Sequence, residues 1–217
     1  ASILKLIAVE YAKSGQTQQA LQIFDKALNA AGSISDDDNK AEALKDIASE
    51  LAKAGQTQKA LQIFDKALNV AGSISDDSAK AFALKNIASE LAKARQFDKA
   101  VNVAMSFSDD SDKARALKDI AVELAKAGQT QQALQIFNKA LNVAWFIFFD
   151  SDKAKALKDI AVELAKAGWF DDALNAAGSI YDNSDKAKAL KDIAKELAKA
   201  GQTQKALLIF DKAVTVA

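Results

Sequence analysis

The side chains best suited to chemistry in this sequence are its carboxylates and ammonium groups, because its 217 residues include no His and no Cys. That composition excludes imidazole bases, thiolate nucleophiles, disulfides and the usual zinc sites. The acidic runs at 36–38 and 109–112 lack the central Gly and the twelfth-position Glu of a calcium loop. There is no glycine-rich phosphate loop and no Ser/His pair. We therefore expect a non-catalytic protein with no metal and no cofactor.

The charge balance also restricts the partners. Lys plus Arg and Asp plus Glu number 29 each, so no net field draws the chain towards nucleic acid or a membrane surface. The longest apolar run, 143–149, is far shorter than the roughly 20 residues of a membrane span. The sequence begins with neither a signal peptide nor Met, which is typical of a trimmed or expressed fragment. We expect a cytoplasmic or recombinant product whose partner is a protein or peptide.

A repeated block positions these charges. Residues 15–37 recur at 55–77 with two differences, and 116–128 recur unchanged at 156–168. A turn of the Ala-Lys-Ala-Gly type, with Ser for the second Ala in the first unit, recurs with spacings of 40, 40, 33, 40 and 33 residues, at Gly15, Gly55, Arg95, Gly128, Gly168 and Gly201. Such a period indicates stacked units that cannot bury an apolar face alone. We divide the chain into one repeat domain, 1–217, with units of approximately 1–37, 38–77, 78–110, 111–150, 151–183 and 184–217.

Each unit is predicted to contain two helices, A and B. Residues 39–53 typify helix A and 57–71 typify helix B, each with apolar residues at helical spacing. The shorter units lack seven residues, about two turns, within helix B.

The ends of these helices carry capping signals. We expect helix B to be capped by a hydroxyl or carboxylate, at Thr17, Thr57, Thr130, Thr203, Asp98 and Asp171. Ser/Asp clusters are expected to cap helix A. The B helices are expected to end in left-handed Gly32, Gly72 and Gly178.

The small and large residues of the first unit resemble the signature of the tetratricopeptide repeat. The positions that carry this resemblance are Ile7, Ala8, Tyr11, Gly15, Ala20, Phe24 and Ala27. Two features depart from the family: the units exceed its usual 34 residues, and its proline after helix B is absent. The resemblance implies an all-α, right-handed α-solenoid of six helix-turn-helix units of 40 and 33 residues. The near-identity of the units suggests a consensus-derived, engineered or recently duplicated sequence.

The resemblance also implies a groove lined by the A helices. A Lys recurs at one position of helix A, and we assign the groove to Lys45, Lys85, Asn86, Lys118, Lys158 and the unusual Phe82. In some family members such lysines clamp peptide carboxylates together with asparagines. Only Asn86 matches that partner, because Leu6 stands there in the first unit and Asp stands there in the others, at Asp46, Asp119, Asp159 and Asp192. The lysines are therefore either a peptide-binding groove or a solvated face of weak ion pairs.

One segment departs sharply from the repeat. Residues 144–150 read AWFIFFD where other long units read AGSISDD, so Trp145, Phe146, Phe148 and Phe149 replace small or polar residues. Loss of the Gly predicts that helix B continues by a turn. The segment is expected to form a self-association interface, together with Met105, Phe107 and Tyr181 of the neighbouring units. The alternatives are packing onto adjacent repeats and a small apolar-ligand pocket.

The ends of the chain carry further departures. Ile3 and Leu6 stand where internal units have Ala and Asp, and Leu208 replaces a recurring Gln. These residues are expected either to stack end to end with another copy or to fray. The function predicted from the sequence is a protein–protein interaction scaffold that self-associates through its aromatic segment. The alternative is a peptide-binding module that uses the lysine-lined groove.

Overall fold

The computed structural model describes all residues, 1–217, as an all-α protein. The twelve helices, in chain order, are α1 (Ser2–Lys13), α2 (Thr17–Gly32), α3 (Asp37–Lys53), α4 (Thr57–Ser73), α5 (Asp77–Lys93), α6 (Phe97–Met105), α7 (Asp110–Lys126), α8 (Thr130–Trp145), α9 (Asp150–Lys166), α10 (Phe170–Gly178), α11 (Asn183–Lys199) and α12 (Thr203–Val216). Odd-numbered helices correspond to the predicted A helices and even-numbered ones to the B helices.

Two compact units divide the chain, Ala1–Val103 and Ala104–Ala217. In the first unit, α1 packs on α2 and α3 on α4, and α3 also contacts α1 and α5. In the second unit, α7 packs on α8, α9 on α10 and α11 on α12, and α9 also contacts α7 and α11. Within each unit, an A helix therefore packs both on its own B helix and on neighbouring A helices.

Small residues around one large ring form the core of the long B helices. In α2, Phe24 is buried among Ala20, Ala27 and Ala31 on one face of the helix. The equivalent rings, Phe64 and Phe137, are equally inaccessible to solvent. Alanines allow neighbouring helices to approach closely, and the ring contributes about 1.5–3 kcal/mol through burial.

The two short units differ in helix B, as predicted. Helices α6 and α10 have 9 residues each, whereas α2 and α8 have 16. The difference is seven residues, close to two full turns. The apolar face therefore keeps its direction while the helix becomes shorter.

The turn from helix A to helix B requires a left-handed residue. Gly15 has φ of 78°, and the N–H of Gln16 donates to the carbonyl of Tyr11 at 2.9 Å, which closes the end of α1. The prediction that Gly32, Gly72 and Gly178 adopt this conformation is wrong, because all three lie inside helices without positive φ. The A-to-B turns therefore reverse the chain through a left-handed residue, whereas the B-to-A connections do so without one.

Carboxylates cap most of the A helices. Asp36 accepts a hydrogen bond from the backbone N–H of Asn39 at 2.9 Å, and Asp76 accepts one from Ala79 at 2.7 Å. Asp109 and Asp182 make the same contact.

The predicted side-chain caps of the B helices are wrong. Thr17, Thr57, Thr130 and Thr203 are the first helical residues rather than caps, and Gln precedes each of them without a capping side-chain hydrogen bond. Helix α6 begins at Phe97 and α10 at Phe170, so Asp98 and Asp171 also lie inside the first turn. The Gln residue already belongs to the tight turn, and its carbonyl accepts the first helical hydrogen bond, as Gln16 does from Ala20.

Arg95 is the exception among the left-handed turn residues, because it has a side chain and φ of 61°. A residue other than Gly in this conformation costs about 1–2 kcal/mol. We predict that Arg95→Gly raises the free energy of unfolding by up to about 1 kcal/mol, part of the gain being offset by greater freedom of the unfolded chain. Urea denaturation measures this. The reciprocal variant Gly55→Arg is expected to lower stability, and a loss of stability in Arg95→Gly would contradict the prediction.

Candidate functional site

The aromatic segment, residues 145–149, is exposed. The side chains of Trp145, Phe146, Phe148 and Phe149 are 49, 79, 87 and 65% accessible. Between them Ile147 is buried and anchors the connection to the core. The rings of Phe148 and Phe149 meet edge to face with centroids 5.2 Å apart. The segment therefore presents apolar rings to solvent from a fixed backbone.

The segment does not lengthen its helix. Helix α8 ends at Trp145, the position at which α2 ends with Gly32, so the predicted extra turn is wrong. A Cβ built on Gly32 meets nothing within 4 Å. A large side chain at this position therefore fits without displacing a neighbour, and the helix stops where the repeat stops it.

Phe149 removes a helix cap. It stands at the N-cap of α9, where the other long units have Asp36 and Asp76, and it makes no side-chain capping hydrogen bond. Asp150 and Asp152 remain in the first turn and still favour the positive end of the helix dipole. A lost carboxylate cap costs about 1 kcal/mol.

The neighbouring departures from the repeat separate into two kinds. Phe107 is only 6% exposed, because it takes the core position of Ile34, Ile74 and Ile147. Its assignment to the interface is therefore wrong for the folded chain. Met105 and Tyr181 are exposed, the latter at 97%.

Two of the predicted groove residues and the unusual Phe82 lie together in the first compact unit. Lys45 of α3 lines a cleft of about 150 Å³ with Phe82 and Asn86 of α5. Phe82 is 63% exposed. Asp38 and Glu42 belong to the same lining, so the cleft carries more negative than positive charge.

Most of the predicted groove lysines are paired. Asp46 accepts Lys5 at 2.6 Å and Lys45 at 3.0 Å, and Lys118 meets Asp119 at 2.8 Å. Burial raises the pKa of Asp46, but hydrogen bonds from Lys5 and then Lys45 outweigh it and leave the pKa below its ordinary value. In the second compact unit, Lys158 meets Asp185 at 2.8 Å, and this hydrogen bond holds the pKa of Asp185 below its ordinary value. The remaining groove lysine, Lys85, is half-buried beside Asn86.

The residues predicted to make end contacts are exposed. Ile3 and Leu6 lie open on α1, and Leu208 lies open on α12. Ile7, Leu207 and Val214 are also exposed, and the sequence alone did not indicate this, because the equivalent residues of internal units, such as Ile47, Leu61 and Leu68, are buried or half-buried.

No group of three or more acidic side chains is arranged to hold a metal ion. No helix combines the length and the apolar character needed to cross a membrane.

Residues 1–73, which comprise α1–α4, match the tetratricopeptide repeat family. The first four helices of the chain are therefore similar to tetratricopeptide repeats. Repeats of this family generally mediate protein–protein interactions, and the family typically serves as a non-catalytic scaffold. A comparison with curated proteins gives no match.

Solved structures similar to this tetratricopeptide-like chain are distant in sequence. Ton1535 from Thermococcus onnurineus NA1 is 19% identical with a TM-score of 0.43, over 99% of this chain and 89% of that one. YrrB, described as a TPR protein with an unusual peptide-binding site, is 20% identical with a TM-score of 0.39, over 89% and 91%. A putative kinesin light chain of Podosopora anserina with nearly identical TPR-like repeats is 11% identical with a TM-score of 0.46, over 84% and 97%. Similarities this distant carry no functional information.

Trp169 is a further departure from the repeat, in the turn from helix A to helix B. It replaces the Gln of that turn, and its ring meets that of Phe137 edge to face at 5.7 Å. The adjacent Phe170 is half-buried. The sequence signal was the substitution itself, but only the structure shows which ring Trp169 contacts.

A polar contact joins two successive A helices of the first compact unit. The hydroxyl of Ser49 donates to Glu90 at 2.8 Å, and Lys93 donates to the same carboxylate at 2.6 Å. Burial raises the pKa of Glu90, but the hydrogen bonds from Lys93 and Ser49 outweigh it, so the pKa lies below its ordinary value. Ionised Glu90 therefore stabilises the contact between α3 and α5.

This contact makes stability depend on pH. Because the pKa of Glu90 is lowered by folding, its contribution is complete above the ordinary value of 4.5 and is lost as pH falls through the lower folded value. We predict that Ser49→Ala costs about 1 kcal/mol at pH 7 and less in acid. Urea denaturation at pH 7 and below pH 4.5 measures both, with Ser75→Ala as a control outside this contact. A cost that grows in acid would contradict the assignment.

The missing cap of α9, at the end of the aromatic segment, gives a separate prediction. We predict that Phe149→Asp raises the free energy of unfolding by about 1 kcal/mol, because the carboxylate restores the cap present on α3 and α5. Denaturation at low protein concentration measures it. Phe146→Ser, which also restores the repeat residue but is not at the N-cap, serves as the matched control. Equal gains in both variants would show that the cap is not responsible.

Proposed function

We propose that this tetratricopeptide-like protein is a non-catalytic scaffold that associates with a second copy of itself through the aromatic segment. The single observation that supports the proposal is the exposure of four aromatic side chains within five residues, 145–149. Trp and Phe are abundant where interfaces place most of their binding energy. A contiguous apolar patch of this kind is uncommon on a soluble monomer.

The cost of the segment supports the same proposal. Phe149 displaces the Asp that caps equivalent helices, and the rings of Phe146, Phe148 and Phe149 contribute little to the fold because they face solvent. The buried Ile147 retains the residue that the core requires. The rings at these positions therefore do not stabilise the isolated chain. In an associated form they would be buried in the interface.

A second copy is the partner that fits best. Residues 145–149 carry no charged side chain, so the patch needs no partner of opposite charge. Two-fold pairing brings the same patch together from both copies and requires only self-complementarity. Rings already arranged edge to face, as Phe148 and Phe149 are, offer both edges and faces to their symmetry mates.

Sedimentation velocity over a concentration series tests this proposal. The parent chain is expected to show mass rising above 23.1 kDa with concentration. A variant with Trp145→Gly, Phe146→Ser, Phe148→Ser and Phe149→Asp is expected to stay monomeric. Because this variant regains a helix cap, it is expected to be at least as stable as the parent, so loss of association is not explained by unfolding.

A matched control separates the segment from other exposed aromatics. Phe82→Glu restores a repeat residue at an exposed aromatic of the first compact unit, outside the segment and outside the residues predicted to join it. It is expected to leave association unchanged. A parent chain that remains monomeric at every concentration would refute the proposal. A parent that associates equally well after the fourfold substitution would assign the contact to another surface.

The cleft between α3 and α5 supports a second candidate, a peptide-binding module. Lys45, Phe82 and Asn86 line one cleft, so an apolar side chain would contact Phe82 while a carboxylate meets the Lys and the Asn. Asp46, the residue equivalent to Asn86 in α3, already pairs with Lys5 of α1. Lys45 stands to Asn86 as Lys5 stands to Asp46. Because Asn86 is neutral, Lys45 has no second carboxylate partner at this position. Asp38 and Glu42 oppose an acidic peptide, which is why self-association ranks first.

Fluorescence polarisation with short peptides that combine Leu or Phe with Asp or Glu tests this candidate. Asn86→Asp is expected to weaken binding several-fold, because the new carboxylate neutralises Lys45 and repels the ligand. Phe82→Glu restores a residue found at this position in α3 and is expected to remove the apolar contact. Binding that both variants leave unchanged, or flat titrations with the parent, would exclude this cleft.

A further inference from the structure

We propose that the cleft beneath Trp169, here called the Trp169 cleft, binds a small planar aromatic molecule that carries an anionic group. The cleft is formed by residues of α7, α8 and α9 together with Trp169, all within the second compact unit. Thr130 at the start of α8 lines it, whereas the aromatic segment follows the end of the same helix. At 1.5 Å per residue the two surfaces lie roughly 20 Å apart, so this site goes beyond the self-association surface.

The walls of the Trp169 cleft are apolar. Val122 and Ala125 come from α7, Phe137 comes from α8, and Ala167 and Trp169 close the other side. The space between them is about 360 Å³, within the range of about 300–1,000 Å³ typical of small-molecule sites. Trp169 and Phe137 meet at an interplanar angle of 71°, so they present two differently oriented ring surfaces to an occupant.

Trp169 is held in place by its backbone. Its N–H donates to the carbonyl of Leu164 at 2.9 Å, and its own carbonyl accepts the N–H of Ala173 at 2.9 Å. Gly168, with φ of 88°, makes the turn that sets this position. These bonds fix the backbone from which the ring projects, and the edge-to-face contact with Phe137 holds the ring itself, so it loses less conformational freedom when a ligand binds.

Charges at the opening favour an anion. Lys126 and Lys166 line the cleft with largely exposed side chains, while Glu163 is the only carboxylate in the lining and is mostly buried. Lys126 pairs with Glu123 outside the lining at 2.7 Å, and Lys166 donates to Glu163 at 2.7 Å, a hydrogen bond that raises the pKa of Lys166. The lining itself therefore carries two ammonium groups against one carboxylate, and the exposed ends of the lysines lie where an anionic group on the ligand would meet them.

The first compact unit contains a polar counterpart of this site. Lys53, Phe64, Glu90 and Lys93 occupy the equivalent positions, but Ser49 replaces Val122 and Gln96 replaces Trp169. There the Ser hydroxyl donates to Glu90, and the Gln amide donates to the carbonyl of Ala94 at 3.4 Å. Two substitutions thus distinguish an apolar cleft from a polar inter-helix contact on the same scaffold.

Fluorescence titration with 1-anilinonaphthalene-8-sulfonate tests the proposal. The titration uses the full chain with 145–149 restored to the repeat residues, so that the aromatic segment does not bind the dye. Saturable binding of one dye per chain is expected. Trp169→Gln is expected to weaken it at least about tenfold by removing one ring wall. N-phenyl-1-naphthylamine, which lacks the sulfonate, is expected to bind more weakly. The difference in affinity between the two dyes is expected to shrink as salt is added.

A transplant provides the matched control. Ser49→Val with Gln96→Trp is expected to create a second site in the first compact unit and raise the stoichiometry to two dyes per chain. This variant keeps the proposal testable if Trp169→Gln fails to fold by circular dichroism. Unchanged dye binding in folded Trp169→Gln would overturn the site. Equal affinity for the neutral analogue would overturn its preference for an anion.

Discussion

The burial of one aromatic ring per long B helix is the interaction on which the rest of the structure depends. Phe24, Phe64 and Phe137 are fully inaccessible, whereas Phe210, in the last helix, remains partly exposed. A single helix pair cannot enclose such a ring, and the helix pair that follows completes its burial. The alanines around it allow the close approach, and the left-handed turns and Asp caps place consecutive helices where this packing is possible.

Because repeated positions build the fold, other positions are free to vary. The aromatic segment illustrates this freedom: Ile147 remains in the core while the four residues around it become rings that face solvent. Trp169 illustrates it at the opposite end of the helix pair, where its backbone keeps the geometry of the turn. The connections therefore carry new surfaces without altering the packing between helices, which is the condition for a scaffold to acquire binding sites.

The sequence predicted the helical pairs, their two lengths and the Asp caps of the A helices, because each follows from local periodicity or from a contact within four residues. It failed for Gly32 and Thr17, where several connections were compatible with the local pattern. It also failed for Phe107, because a substituted Ile looks the same in sequence whether the new ring is buried or exposed. The groove lysines show a similar limit: only tertiary packing brings Asp46 against Lys5, 41 residues away.

The sequence by itself determined the all-α class, the repeated helical unit and the positions that depart from it, since a period in the sequence directly encodes a period in structure. Only the tertiary structure decided which of those departures face solvent, which lysines are neutralised and where a cleft opens. These properties depend on contacts between residues distant in the chain. Phe107, in the connection from α6 to α7, and Phe148, in the connection from α8 to α9, are both aromatic replacements at adjacent positions of the repeat, yet one fills the core and the other lies in water.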